Sequence, residues 1–469
     1  MSETETASVP DTIQADQFVL IRMPSDNVKC IGLKAGSTVS LGKFGQFRAN
    51  DIIGRAWGNT YEIYDRDNKL RIYHPEAFDE IQETDANNRE ILDDGSSQKL
   101  SLEEIHALKA EGLKGSLSSE EIIQKLKESN ASFDKKTAYS QAKYVKKKEK
   151  KFQKIFTPVK PTLYTLCEHF YLRNPAKIRD MRTDTLAQMM CLANIHAGGR
   201  YLVVDDLQGM VVSAIAERLG GHGVVLGLYD GDAAHYEILK YMNFDEKVSS
   251  TIKTLSWLRM FRGENEKSPA ELQNPADLNE RELEGYNRRL KAFNICEGNR
   301  RILHEAKFDG LIIASQYDPP SILDKLLQYV RGSRPIVVYH AAKEGLLETS
   351  TYMKRNPELL APQLSESWLR KSQVLPGRTH PEMNTWGSGG ALITATKVID
   401  APVQAALTKR EVKTLEKRNA EAKKHKRERE ESETASPAPD NNSSETGTPS
   451  NASANDSKRF KADNVDNTA

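Results

Sequence analysis

The chain has 469 residues, room for two or three domains that each bury a core, and its 67 basic and 66 acidic side chains nearly cancel to a net charge of +1. The two signs are segregated along the sequence, so the small total excludes neither a nucleic-acid surface nor an acidic tail. Four scattered cysteines without a CxxC pair argue against a disulfide framework and a zinc cluster, and no apolar run approaches the ~20 residues of a membrane span.

The opening Met1-Ser-Glu-Thr-Glu-Thr6 is acidic and has no leader-like apolar core, so an intracellular, soluble protein without a membrane partner is expected. Residues 1–16 are polar and expected to be disordered. Residues 17–81 carry short β-patterned runs at Phe18–Met23, Val28–Ile31, Ser37–Leu41, Asp51–Ile53, Tyr61–Tyr64 and Leu70–Tyr73. Their spacing predicts a small β-barrel, a fold open to docking and to nucleic-acid reading alike. Residues 82–157 form a charged connector in which Ser101-Leu-Glu-Glu104 and Ser118-Ser-Glu-Glu121 match the capping box of a helix start.

That connector ends in Lys143-Tyr-Val-Lys-Lys-Lys-Glu-Lys-Lys-Phe-Gln-Lys154, with seven lysines in twelve positions: Lys143, Lys146, Lys147, Lys148, Lys150, Lys151 and Lys154. On a helix, Ala138, Ala142, Val145, Phe152 and Ile155 share one face, which leaves most of the lysines on the other. Such a stripe is a solvated face unless something anionic meets it. Tyr139 and Tyr144 among the charges, and the scarcity of acids, point to RNA phosphates.

After Pro158 and Pro161 the pattern changes. Thr162–Phe170 and Asp184–His196 read as helices, with Lys177, Arg179 and Arg182 between them as a second basic group. Apolar strands at Tyr201–Asp205, Gly223–Tyr229, Phe308–Ala314 and Pro335–Tyr339 alternate with helical segments at His235–Met242 and Asn279–Asn294. This predicts an α/β domain over 158–400 with a parallel, helix-covered sheet. Gln373–Pro381 and Gly389–Thr396 are expected to close it as an antiparallel pair, and 263–278 to form an exposed loop. Residues 401–469 hold a charged helix candidate, 405–429, and a tail expected to be disordered. The basic cluster Lys423-Lys-His-Lys-Arg427 is a candidate nuclear-import signal.

The organising stretch is Tyr201–Gly221, a strand, a turn and a helix. In nucleotide-binding sheets this turn closes on its ligand with bare backbone, which takes glycines at several positions. Here only Gly209 is present, and Asp205, Asp206, Leu207 and Gln208 place side chains where a cofactor would lie. The domain is therefore expected to keep a cofactor-binding architecture without binding a cofactor. Asp318-Pro-Pro-Ser321 is similar to the Asp-Pro-Pro-aromatic loop of amino-methylating enzymes, but Ser321 replaces the aromatic, so a proline-stiffened loop is the stronger reading. Asp230 ends the second strand, where a carboxylate often meets a ribose. Arg378 and His380, in Gly377-Arg-Thr-His-Pro381, are candidate RNA contacts. No metal ligand and no catalytic residue is assigned.

Gly45–Arg55, the Lys143–Lys148 run, Asp184-Thr-Leu-Ala-Gln188, Asn194-Ile-His-Ala-Gly198 before Leu202-Val-Val-Asp205, and Gly377–Met383 together resemble one family. It is the non-catalytic, substrate-binding subunit of the eukaryotic tRNA (adenine-N1-)-methyltransferase acting on the T-loop, and the resemblance runs from about Gln17 to Ile399. It implies an N-terminal β-barrel, a C-terminal Rossmann-like methyltransferase fold, and a heterotetramer holding two copies each of this chain and a homologous catalytic subunit. The partner would hold S-adenosylmethionine and form N1-methyladenosine 58 in tRNA, including initiator methionyl-tRNA. This chain, in the nucleus, would hold the tRNA through the seven lysines, Lys177, Arg179, Arg182, Arg378 and His380. Two other readings stay open: an active S-adenosylmethionine-dependent methyltransferase using Asp318 and Asp230, and a scaffold of the translation machinery.

Overall fold

Period-two alternation splits the first strand between two cores. Phe18–Arg22 (β1) and Val28–Gly32 (β2) pair as an antiparallel hairpin, in which Val19 and Ile21 enter one core and Leu20, on the opposite face, enters another. The computed structural model describes residues 11–64, 67–74, 98–113, 117–262, 267–275, 278–305, 307–375, 378–384 and 387–398, with 413, 414 and 417. Thr38–Ser40 (β3) and Gln46–Arg48 (β4) form a ribbon, and Tyr61–Ile63 (β5) pairs with Leu70–Ile72 (β6).

Three connector helices follow: Leu102–Leu113 (α1), Ser119–Glu128 (α2) and Ala138–Phe152 (α3). Both capping boxes form, with the Ser101 and Ser118 hydroxyls accepting from the Glu104 and Glu121 amides at 3.2 and 3.1 Å. Ile122 and Leu126 of α2 pack on Phe152, so α3 is held by its apolar side. Ile155–Val159 (β7) then returns to the first domain and inserts between β1 and β5, giving the order β2-β1-β7-β5-β6. Phe156 of β7 is buried and stacks on Phe47 with ring centroids 4.3 Å apart.

Four expectations are corrected by this domain. Among the described residues it is an open five-stranded sheet with a separate ribbon, β2 and β6 being edges, and the strands do not close into a hydrogen-bonded barrel. Its strand β7 comes from 155–159, a segment whose proximity to the lysine run and whose Pro158 obscured its β character. Asp51–Ile53 is not a strand, because Ala49–Asp51 turns as a short 3-10 helix. Residues 11–16 are not free, since Ile13 is fully buried and its amide donates to Arg55 O at 2.9 Å.

The second domain begins with Leu163–Arg173 (α4), Thr183–Leu192 (α5), Arg200–Asp205 (β8), Met210–Leu219 (α6), Val224–Tyr229 (β9), Glu246–Ser249 (α7) and Ile252–Ser256 (β10). It continues through Trp257–Arg262 (α8), Pro269–Leu272 (α9), Glu280–Glu305 (α10), Gly310–Ala314 (β11), Pro319–Leu326 (α11), Arg334–His340 (β12) and Leu347–Arg355 (α12). Leu359–Glu366 (β13), Ser372–Leu375 (β14), Arg378–Pro381 (β15) and Ala391–Lys397 (β16) complete it. The sheet order is β10-β9-β8-β11-β12-β16-β13, with the first five strands parallel and β16 antiparallel to both neighbours.

Tyr201 and Val203 of β8 face one apolar layer, Leu202 and Val204 the other, as a central strand covered on both faces requires. Strand order reverses between β8 and β11, and the crevice outside their carboxyl ends is where doubly wound sheets bind ligands. The predicted closing pair is half right: β16 closes the sheet, but with β13, while β14 and β15 make a hairpin of their own. β13 went unrecognised because it is an exposed edge strand carrying Pro362 and a break in register between Leu360 and Gln363. The expected loop at 263–278 contains α9, and its residues 263–266 and 276–277 lie outside the described residues. So do residues 1–10 and, apart from 413, 414 and 417, the helix candidate and tail beyond 400. Asn243 joins the domains, its side-chain amide donating to Phe18 O and its Oδ1 accepting from Phe18 N, both at 2.8 Å.

Candidate functional site

At the switch point the turn after β8 is turned inward on itself. The Asp205 carboxylate is fully buried and accepts from the amides of Leu207 at 2.7 Å, Gly209 at 3.3 Å and Val212 at 3.0 Å. Those are the turn and first-helix-turn donors that an anionic ligand uses in such folds. Burial pushes the carboxyl up to about 6, and the amides, which favour the charged form, pull the other way. Asp206 is also engaged, accepting from Ser315 Oγ at 2.7 Å and the Gln316 amide at 3.1 Å across to the loop after β11. Leu207 is fully buried in the core, and Gln208 and Gly209 both take positive φ, at 58° and 81°.

The space above the turn holds Tyr236. A Cβ built on Gly209 would lie 2.7 Å from Tyr236 Cβ, and one on Gly227 in β9 would lie 2.5 Å from the tyrosine hydroxyl oxygen. Both glycines therefore make room for the chain's own aromatic ring. The hydroxyl is buried without a hydrogen bond, and burial raises it well above the ordinary tyrosine range. Asp230 accepts from Tyr317 Oη at 2.9 Å. Asp318 is the N-cap of α11, accepting from the Ser321 amide at 3.0 Å, while Ser321 Oγ donates back to Asp318 O at 2.7 Å. An S-adenosylmethionine laid here would need free amides and open space above the glycine, and Asp205 and Tyr236 take both. These residues do not fit it.

The predicted RNA-contact residues are not gathered into one site. On α3, Lys143, Lys146, Lys147, Lys150 and Lys151 are exposed, and Lys150 pairs with Asp26 of the β1–β2 turn. Lys148 is half-buried, its ammonium 4.8 Å from the Tyr144 ring centre. Tyr144 itself packs inward, its hydroxyl donating to Leu126 O at 3.1 Å and its ring edge-on to Phe133, so it anchors the helix and offers no free stacking face. Lys154 is corrected for a similar reason: it is half-buried and its ammonium donates to Gly112 O. Burial lowers Lys151, and so do the neighbouring charges of Lys109, Lys148, Lys43 and Lys147. Lys43 and Lys109, on other elements, extend the lysine surface, and only the fold brings them to it.

Arg182 is corrected outright. Its side chain is 2 % exposed, grips both oxygens of Asp184 at 2.7 and 2.8 Å, and donates to Gly387 O and Ser367 O, so it is an internal clasp. Lys177 pairs with Glu237 at 3.2 Å, a carboxylate held down at about 2 by Tyr241, Lys177 and Lys240. Arg179 takes φ 48° and donates to Gln316 Oε1 at 2.9 Å. His380 lies in β15 with Nδ1 2.9 Å from Pro381 O; the side chain of Arg378 lies outside the described residues.

The Gcd10p family model matches residues 12–287. A tRNA (adenine(58)-N(1))-methyltransferase non-catalytic subunit of Debaryomyces hansenii is 31% identical over 437 residues, covering 87% of this chain and 92% of that relative. The chain belongs to the Gcd10p family. Its relatives there include the corresponding non-catalytic subunits of Kluyveromyces lactis, 33% identical with 87% and 92% covered, and Mus musculus, 34% identical with 76% and 83% covered. As a member of this family the chain is a non-catalytic subunit of the tRNA (adenine(58)-N(1))-methyltransferase. Within the Gcd10p match, Asp205 and Tyr236 give a physical account of the missing chemistry. The aspartate was visible in the sequence, whereas the tyrosine, 27 positions beyond Gly209, carried no local signal.

Proposed function

We propose that this chain holds tRNA on the lysine surface of α3 and presents it to a catalytic partner, which alone carries the methyl donor. The observation that carries the division of labour is the filled turn: Asp205 occupies its amides and Tyr236 its free volume. RNA holding is supported by like charges drawn together from α3, α1 and the loop before β4, at the expense of lowering Lys151, an arrangement that phosphates relieve. The assembly is proposed to be a heterotetramer with two copies of each subunit, acting on tRNAs that include the initiator, in the nucleus.

Calorimetric titration of the chain with S-adenosylmethionine tests the first half: no binding is expected, and stoichiometric binding would restore the reading as an active methyltransferase. Mass measurement of the co-expressed complex tests the stoichiometry. The second half is tested by reversing Lys143, Lys147 and Lys151 to glutamate, where unchanged tRNA affinity at low salt would favour a protein-only scaffold.

A further inference from the structure

A cleft of about 710 Å³ opens between the β1–β2 hairpin and the outer face of α4, and nothing in the methyl-transfer reading uses it. One wall is a helical stripe at positions 164, 165, 168, 169, 172 and 173, which leaves Tyr164 59% and Leu172 55% exposed on a solvent face. The other wall carries Arg22 and Lys29. The two acids lining the cleft are already neutralised, Asp26 by Lys150 of the lysine helix and Glu168 of α4 by Lys371 at 2.9 Å. Lys29 donates to Ser40 O at 2.8 Å. Arg22 and Arg173 have no carboxylate partner among the described residues, so the cleft presents surplus positive charge beside an uncovered aromatic ring. Burial and the Arg173 guanidinium both push the His169 imidazole down, which disfavours a further charge there.

A basic groove with an exposed ring is how proteins hold unpaired nucleic acid: guanidinium groups track the phosphates and the ring stacks on a base. The Lys150–Asp26 pair makes the groove continuous with α3. We infer that this cleft is a second RNA site, which takes an unpaired stretch of the tRNA running on from α3, with phosphates on Arg22 and Arg173 and a base on Tyr164. The inference rests on the reading of α3 as an RNA surface. It adds the substrate feature recognised, single-stranded rather than duplex RNA, and an aromatic contact that a lysine stripe does not supply.

The test uses the full-length chain in its complex with the catalytic subunit, a fluorescein-labelled tRNA transcript, and a 12-nucleotide oligouridine as competitor. R22E/R173E is expected to raise the tRNA Kd about 30-fold at 0.1 M salt and to lower the slope of log Kd against log salt by about 1.4, two single-strand phosphate contacts. Y164A is expected to raise Kd about 10-fold with the slope unchanged, and Y164F to behave as wild type. Oligouridine should compete with wild type and fail against R22E/R173E. Should the reversal destabilise the chain, judged by its unfolding midpoint, R22Q/R173Q must lower the slope instead. Wild-type Kd and slope in the cleft variants, alongside lost binding in the α3 variant, would overturn the cleft site and leave the α3 reading standing. Wild-type binding in both sets would overturn both. Loss of the catalytic subunit with RNA affinity intact would make the cleft a protein surface and likewise overturn the inference.

Discussion

The turn after β8 and the outer face of α3 treat charge in opposite ways. In the turn, a carboxylate is taken fully out of water and surrounded by three backbone amides, so the donors that could have met a ligand's anion meet the chain's own. On α3 most of the lysines are exposed, and Lys151 is crowded by Lys147 and Lys148 of its own helix and by Lys43 and Lys109 from other elements. Internal hydrogen bonds close such a turn to a ligand, whereas like charges crowded at the surface favour an anionic one. One fold therefore turns its charge inward at one place and outward at another, the contrast on which the proposed division of labour rests.

The contrast is open to direct attack. The largest effect is expected from K143E/K147E/K151E, which should weaken tRNA binding about 1000-fold at 0.1 M salt and flatten its salt dependence by about 2, read by anisotropy across a salt series. R182A should leave that slope untouched while costing about 3 to 5 kcal/mol of stability in denaturant titration, because it strands Asp184 and two carbonyls. An RNA-binding defect at unchanged stability would restore Arg182 as a contact. G209A should cost about 3 kcal/mol, combining positive φ with the encounter with Tyr236. In the double variant G209A/Y236G the two costs should be markedly less than additive, and simple additivity would show that the ring and the glycine do not share space.

A subtler effect concerns pH. The folded-state carboxyl of Asp205 lies at about 6 against 3.8, so its stabilising contribution is complete below about 3.8 and is lost as pH rises through 6. Relative to D205N, the wild type should lose up to about 3 kcal/mol between pH 4 and 7, and parallel stability curves for the two proteins would contradict the buried placement. The smallest change belongs to Y236F, expected within about 1 kcal/mol of wild type or more stable, since the hydroxyl it removes has no partner.

Much of the α/β domain could be read from the chain because a central parallel strand announces itself: Tyr201–Asp205 and Gly310–Ala314 are apolar on both faces. Edge elements announce little. β13 is exposed at most positions and β10 mixes Lys253 and Thr254 with its apolar residues, so neither has a clear period. At the turn, the missing glycines were legible, but which groups replaced a ligand depended on contacts from Tyr236 and Ser315, far along the chain. The basic residues were all visible, and their availability was not. Arg182 sits two residues before Asp184, and nothing local distinguishes a clasp from a contact until Ser367 and Gly387 are brought beside it.

The return of β7 has a practical corollary for dissecting the polypeptide. Because the strand slots between β1 and β5, the first domain is discontinuous in sequence, with residues 73–154 intervening between β6 and the arrival of its middle strand. A fragment cut at residue 81 would therefore hold two hairpins with raw inner borders and no Phe156 to cover Phe47, and it should aggregate rather than fold. The same stitching grips the lysine helix at its exit, so whatever rests on that helix rests on a handle riveted to the first domain.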